Sequence, residues 1–444
     1  MSAGLRRTFS SLSVPNYRRY FTGQVISISG NWMQIVAEMW LIVQLTGSGV
    51  SVGLVAAMQF LPMLLFGAWG GLLADRVPKL RLLKYTQALM AVPAIALWAL
   101  TATGDIAPWM VFGLVLARGS VLVIDNPARQ AFVMELVGPE RIVNAVSLNS
   151  VVVHCSRIAG PAAAGAVIAV FGVSLCFAVN ALSFIAMLVA LARMDRSALL
   201  TSVPIERARG DVMLALRHVR ATPALWIPLA AMVLVGTLSF NFQVLMPLLA
   251  HSTWHGTATT YAAMTMAMGI GSVAGALLTS TLQSVSSRLI VGAAAAFGVF
   301  ELLAAAAPSL PLQILALVPL GAVSVTFAAG VNSSLQLAAS PQMRGRVMSL
   351  YSVVFLGSTP IGAPLVGWLA EVASPRAGLA LGGVAALVAA AGARVAYARA
   401  AGPAQNAMPG ATRASTSRGA FAPIPSRSAS VSAAGSSTRT DSTP

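Results

Sequence analysis

The sequence predicts an all-α membrane protein of twelve transmembrane helices, arranged as two pseudo-symmetric halves of six. Three observations carry this prediction. The 444-residue chain is 57% hydrophobic and only 9% charged, against about 45–50% and 25% in soluble domains, and its mean hydropathy is +0.80. Apolar stretches of about 20 residues, the length that crosses a bilayer, recur between short breaks rich in Gly, Pro or charge. A set of residues in the first half returns in the second at a fixed separation. This composition excludes a soluble enzyme, a secreted disulfide scaffold and a disordered protein. The 38 Gly and 24 Pro, spread through apolar stretches, suit membrane helices better than soluble ones.

The first six spans are predicted at 21–45, 50–73, 82–103, 108–125, 144–171 and 173–192. A connector over 193–222 carries Arg193, Arg196, Arg207, Arg209, Arg217 and Arg220. It is too charged to span and reads as a partly helical cytoplasmic link. Spans 7 to 12 follow at 223–250, 257–282, 289–307, 310–328, 347–372 and 376–398. The halves are therefore 1–192 and 223–400, and the Ser-, Thr-, Ala-, Pro- and Arg-rich segment 401–444 is expected to be a disordered cytoplasmic tail. The N-terminus has no short apolar core with a cleavage site, so span 1 is expected to be retained.

Basic residues in short loops stay in the cytoplasm. Arg6, Arg7, Arg18, Arg19, Arg76, Lys79, Arg81, Lys84, Arg129, Arg141, the connector arginines, Arg288, Arg344, Arg346, Arg394, Arg399 and the tail arginines all fall on one face, and Arg376 alone on the other. Arg118 and Arg157 lie inside spans. This bias predicts a multi-pass protein of the inner or plasma membrane with both termini cytoplasmic. The net charge of +16 is thus a topology signal, and no nucleic-acid partner is expected.

Pro139, Ser147-Leu148, Ser150-Val151-Val152, Gly160 and Gly165 recur as Pro341, Ser349-Leu350, Ser352-Val353-Val354, Gly362 and Gly367, each 202 positions on. The constant offset sets span 5 opposite span 11 and implies two halves in the same orientation, an arrangement common among secondary transporters.

A nucleotide-driven pump needs Gly-x-x-x-x-Gly-Lys-Ser/Thr, and neither of the two lysines, Lys79 and Lys84, follows a glycine. Gly269, Gly271 and Gly275 have the wrong spacing for a dinucleotide fingerprint and read as helix packing. His251 and His255 gain no further ligand, and Cys155 and Cys176 lie in apolar segments, expected as buried free thiols. No cofactor and no metal are expected, which leaves an ion gradient or the substrate's own gradient as the driving force.

A charged group inside a span costs about 2.5–3.5 kcal/mol on insertion scales, so each asks for a reason. Glu38 in span 1 is a candidate for taking up and releasing a proton. Arg118, near the middle of span 4, would pair with Glu38 or attract an anionic substrate. Arg157 in span 5 is expected to snorkel toward the near face, and Glu301 in span 9 to be peripheral and structural. Asn31, Gln34, Asn241 and Gln243 add polar groups to a candidate cavity, while Trp32, Trp40, Phe240 and Phe242 would stack on an amphipathic ligand. No span carries a paired Asp, a His-Glu zinc motif or a Ser/His arrangement, so an enzyme is not expected.

Gly71-Leu72-Leu73-Ala74-Asp75-Arg76-Val77-Pro78-Lys79-Leu80-Arg81, between spans 2 and 3, resembles the loop signature of the major facilitator superfamily, with Pro78 for the usual Gly and Leu80 for a usual basic residue. Gly160-Pro161-Ala162-Ala163-Ala164-Gly165 resembles the antiporter motif of its exporters. Asp125-Asn126-Pro127-Ala128-Arg129-Gln130-Ala131-Phe132, Arg344-Gly345-Arg346-Val347-Met348-Ser349-Leu350-Tyr351, Trp32-Met33-Gln34 and Gln44-Leu45-Thr46-Gly47-Ser48 are similar to the transmembrane secretion effector branch, which holds enterobactin exporters and related macrolide and multidrug efflux permeases. The resemblance implies a cavity lined by spans 1, 4, 7 and 10, and a gate in which Asp75 meets the start of span 11 near Arg344 and Arg346, while Arg76 meets Asp125. It also implies a monomer in the lipid bilayer that exports a small amphipathic compound, such as a siderophore, antibiotic or drug, in exchange for protons. Uptake or facilitated diffusion, and a transporter-like sensor or lipid-moving protein, stay open as alternatives.

Overall fold

The computed structural model describes residues 9–200, 212–280, 286–340 and 343–406, some of them by backbone alone. Helices α1 (Pro15–Thr46), α2 (Gly49–Arg76), α3 (Lys79–Thr103), α4 (Pro108–Val137), α5 (Ile142–Phe171) and α6 (Val173–Ala192) form the first half. A short helix, α7 (Val212–Ala221), belongs to the connector, part of which lies outside the described residues. The second half holds α8 (Pro223–Leu238), α9 (Phe242–Leu248), α10 (Ala258–Ser280), α11 (Ser287–Ala306), α12 (Leu310–Ala338), α13 (Arg344–Gly357), α14 (Thr359–Val372) and α15 (Pro375–Asn406). The segment expected to form a disordered tail lies outside the described residues beyond Asn406.

Among the described residues eleven segments are long and apolar enough to cross a membrane, and they match spans 2 to 12. Helix α1 has 32 residues, about 48 Å at 1.5 Å per residue, enough to cross. Its polar content, with Gln24, Ser27, Asn31, Gln34 and Glu38, keeps its mean hydropathy low. Those polar residues can be tolerated because α1 is packed among other helices: Gly23 lies against Met187 and Gly30 against Asn180 and Ser183, all of α6. Its first turn is tied to the end of α6 by Asn16, whose amide donates to Asp195 O at 2.7 Å and accepts from Asp195 N at 3.0 Å.

Two spans are broken where the sequence suggested continuous helices. Span 7 is interrupted at Ser239-Phe240-Asn241, and a π-helical turn over Leu249–Thr253 follows α9. The Thr237 carbonyl freed there accepts from Asn241 Nδ2 at 2.7 Å, and Ser239 Oγ ties the break to α15 by donating to Gly382 O at 2.7 Å. A break inside a bilayer persists only when side chains or neighbouring helices take up the freed backbone groups. Span 11 divides at Ser358, between Gly357 and the Thr359-Pro360 start of α14.

The repeat has a counterpart in packing. Gly119 of α4 and Gly321 of α12 are also 202 positions apart, and each lets its helix approach a partner's backbone. An added Cβ would lie 2.6 Å from Gln59 O in the first case and 2.0 Å from Met268 O in the second. The outer surface carries large apolar side chains, Trp69, Leu89, Trp109 and Leu315 among them, as a lipid-facing surface requires.

Candidate functional site

The intramembrane polar residues of the first half converge on one ion pair. Arg118 Nη2 of α4 lies 2.7 Å from Glu38 Oε2 of α1, with both side chains wholly buried. Glu38 Oε1 accepts from Gln34 Nε2, one turn earlier, at 2.7 Å. Gln34 Oε1 accepts in turn from Asn180 Nδ2 of α6, whose own Oδ1 accepts from Ser183 Oγ at 2.8 Å. On the other side Arg118 donates to Asn31 Oδ1 at 3.1 Å and to Gln59 Oε1 of α2 at 3.4 Å. Three helices, α1, α2 and α6, thus place amides around a single pair of opposite charges. Burying either charge alone would be prohibitive, and each is tolerated because the other and these amides replace its water.

A cavity of about 310 Å³ runs from Asn31 toward the face that carries the basic residues, hereafter the basic face. That is the lower end of the range for small-molecule sites, about 300–1,000 Å³. Tyr20 and Gln24 of α1, Asn126, Arg129 and Gln130 of α4, and Asn149 and Val153 of α5 line it, and Asn126 and Gln130 are exposed. A second polar cluster forms part of its wall. Asp125 Oδ2 is 2.8 Å from Arg129 Nη2 and accepts from Arg129 Nε at 2.9 Å. Asp125 Oδ1 accepts from Thr86 at 2.6 Å and Gln87 at 2.9 Å, both of α3. Arg129 also donates to Gln24 Oε1 at 3.3 Å, and Gln24 to Asn149 Oδ1 at 2.7 Å, which links α1, α4 and α5. Since Asn31 both lines the cavity and accepts from Arg118, the buried ion pair sits at the cavity's inner end.

On the opposite face the two halves are closed against each other. Gly49 and Gly53 of α2 meet Gly367 and Ala363 of α14 so closely that a Cβ on either α2 glycine would fall 2.3–2.4 Å from a carbonyl oxygen. Gly165 of α5 meets Ala262 of α10, and Trp40 of α1 stacks on Tyr261 and meets His251 edge-on. Glu371, near the end of α14, bonds the start of α2: its Oε2 accepts from Ser48 Oγ at 2.6 Å and from Val50 N at 3.0 Å. A carboxylate at a helix N-terminus gains from the helix dipole as well as from these bonds.

The expected pair of Glu38 and Arg118 is present, with Asn31 and Gln34 bonded to it. Other expectations divide differently. Asn241 is 2% exposed and holds the break in span 7, so it serves the backbone and not a cavity wall; Gln243 is half-buried. Trp40 packs as described, and Phe240 and Phe242 join Phe297 and Phe355 in a ring cluster, while Trp32 is half-buried outside that cluster. Arg157 does not snorkel, because its guanidinium lies over the Trp32 ring, 5.4 Å from the centroid. Glu301 is fully buried rather than peripheral, and its carboxyl group lies beside Gly382 of α15. Cys176 is buried, but Cys155 faces outward on α5.

At the basic face the expected contact between Arg76 and Asp125 is absent. Arg76 is exposed, and Asp125 is occupied by Arg129, Thr86 and Gln87, which sit nearer in the sequence or on the adjacent helix. Lys79 turns inward to Glu135 of α4 at 3.7 Å. The side chain of Asp75 lies outside the described residues, while Arg344 is exposed and Arg346 half-buried beside Met343. Gly160 presses α5 onto α1, since a Cβ there would meet Trp32 Cβ at 2.4 Å, and Pro161 beside it is buried. Gln59, Asn180, Ser183 and Glu371 had drawn no attention in the sequence. The first three are polar residues inside apolar spans, which is the signal that would have found them.

Known proteins agree with this architecture. The sequence model of a family described as transmembrane secretion effector matches residues 6–414. The multidrug efflux pump Tap of Mycolicibacterium fortuitum is 27% identical over 79% of this chain and 88% of its own. The enterobactin exporter EntS of Citrobacter koseri is 25% identical over 83% and 88%, and the staphyloferrin A transporter of Staphylococcus aureus 26% over 60% and 67%. A bacterial homologue of the lysosomal transporter Spinster, inward-facing and occupied, superposes with a TM-score of 0.68 at 14% identity, covering 86% of this chain and 97% of that one. A bacterial homologue of ferroportin in its inward-facing state does so at 0.66 and 16%, covering 86% and 98%. With the family match running from before α1 to beyond α15, and relatives that are transporters, the chain belongs to the transmembrane secretion effectors of the major facilitator superfamily.

Proposed function

We propose that this transporter exports a small amphipathic compound from the cytoplasm in exchange for protons, by alternating access between its two halves. The observation that carries this reading is the buried Glu38–Arg118 pair at the inner end of the cavity. Glu38 can accept a proton only by giving up its charge-assisted bond to Arg118, so proton uptake and a rearrangement of α1 against α4 become one event. The Lys and Arg bias supports assigning the basic face to the cytoplasm. On that assignment the cavity faces the side from which an exporter takes its cargo. The apolar residues among its lining and the few fixed charges favour an amphipathic molecule over a sugar. Relatives named as an enterobactin exporter, a macrolide efflux protein and a multidrug efflux pump favour export and this range of cargo.

Two mutually exclusive latches account for the alternation. Glu371 holds the start of α2 when the opposite face is shut. In the other state Asp75, at the far end of α2, takes the corresponding place at the start of α13 beside Arg344 and Arg346, and Arg76, Lys79, Asp125 and Arg129 complete the closure of the basic face. Glu371→Gln keeps the shape and deletes the charge. The loss should shift the ratio of closed to open molecules at the opposite face about two- to fivefold toward open, read as spin-label distances between α2 and α14. An unchanged distance distribution would mean that Glu371 is only a helix cap.

The function is tested in proteoliposomes with a pH gradient, by adding a macrolide, a tetracycline or a catecholate siderophore and recording the pH inside. Cargo-dependent dissipation of the gradient is the expected result. Cargo movement without proton movement would indicate facilitated diffusion, and the absence of both would leave a sensor or lipid-moving role.

A further inference from the structure

Arg157 carries a charge for which the described residues supply no counter-ion. It lies on α5 one turn beyond Val153 and two beyond Asn149, both of which line the cavity. Trp32, whose ring it covers at 5.4 Å, lies one turn beyond Ile28, another lining residue. Arg157 and Trp32 are each half-buried and lie one turn further along their helices than Val153 and Ile28, which places the pair next to the inner end of the cavity rather than in its lining. Their position is fixed by close packing. Ser29 and Ser156 are hydrogen-bonded at 3.1 Å, Gly160 sits against Trp32, and a Cβ on Gly269 of α10 would approach Arg157 O within 3.3 Å. The residue thus stands where α1, α5 and the second half meet.

Among the described residues no carboxylate pairs with Arg157, and its nearest titratable neighbour on α5, His154, adds no negative charge. This contrasts with Arg118, whose charge Glu38 balances. The ring of Trp32 offers a partial compensation by cation–π attraction and leaves the guanidinium N–H groups without an acceptor among the described residues.

We propose that Arg157 and Trp32 form an anion subsite that selects amphipathic cargo bearing a carboxylate or a comparable anionic group. The anion takes the free guanidinium N–H donors, and the apolar body lies along Trp32, Ile28 and Val153. This rests on the export reading and narrows its cargo to anions with an apolar or aromatic part.

The full-length protein in lipid nanodiscs, with no pH gradient, is titrated with 1-naphthoate and with 1-naphthamide, its uncharged counterpart of nearly the same shape. Wild type should bind the anion about tenfold more tightly, the scale of one charge-assisted hydrogen bond. Arg157→Met should erase that preference while leaving the melting temperature equal or higher, because an uncompensated charge has been removed from a desolvated place. Equal binding of the two probes by wild type, or a preference kept by Arg157→Met, overturns the subsite. So does an Arg157→Met chain that no longer folds, because it would make the arginine structural. Binding preference without gradient-driven transport in proteoliposomes would instead count against proton exchange alone.

Discussion

Glu38→Gln is expected to abolish pH-driven transport and to destabilise the protein at the same time. The glutamine cannot give up or take a proton, so cargo movement is no longer tied to the gradient. The second effect follows from burial. Arg118 is fully enclosed and its charge-balancing partner is Glu38, so removing one member strands the other in a low-dielectric interior at a cost of about 3–5 kcal/mol. A loss of transport in this variant alone would therefore be ambiguous. Glu38→Gln/Arg118→Gln separates the two effects, because a neutral pair restores much of the stability without restoring proton exchange. The expected pattern is a depressed melting temperature in the single variant, recovery in the double variant, and no gradient-dependent transport in either. Wild-type pH dependence in the double variant would remove Glu38 from the coupling mechanism.

The parts of this architecture that were legible in the sequence are those fixed by local composition or by repetition. A bilayer requires a run of apolar residues whatever its neighbours are, so spans 2 to 12 could be read from length and hydropathy alone. Span 1 is legible by the same rule over 21–45, although Gln24, Asn31, Gln34 and Glu38 fall one or two turns apart within it. Glu38 and Arg118 stood out because an intramembrane charge is rare enough to demand a partner. What remained hidden depends on contacts between residues far apart in the chain. The break in span 7 is tied to another helix by the Ser239 hydroxyl, which donates to Gly382 O of α15, and no feature within span 7 announces that partner. Glu301 looked peripheral because span 9 carries no other charge, although Gly382 of α15 stands against its carboxyl group. Glu371 has no signal in the sequence, because its role depends on Ser48, more than 300 residues earlier.

Replacing Gly367 by alanine should hold the opposite face open. Gly367 lies inside α14, where alanine is the better helix former by about 1 kcal/mol, so the isolated helix would gain from the change. Any loss must therefore come from the packed interface. The new Cβ would fall 2.2 Å from Gly49 O, a backbone atom of the other half that cannot swing aside as a side chain can. Overpacking of this kind costs about 1–3 kcal/mol, and here the strain disappears when α2 and α14 separate. The closed-to-open ratio at that face should fall about five- to a hundredfold, with longer spin-label distances between the outer ends of α2 and α14 and transport stalled at the closing step. Gly165, the equivalent position in the first half, provides the control. Its Cβ would meet the side chain of Ala262 at 2.4 Å, so α5 and α10 can relieve the contact by a smaller shift. Gly165→Ala should accordingly move the distances less than Gly367→Ala. Wild-type distances in Gly367→Ala would show that the approach of α2 to α14 is loose enough to absorb a methyl group and does not set the closed state.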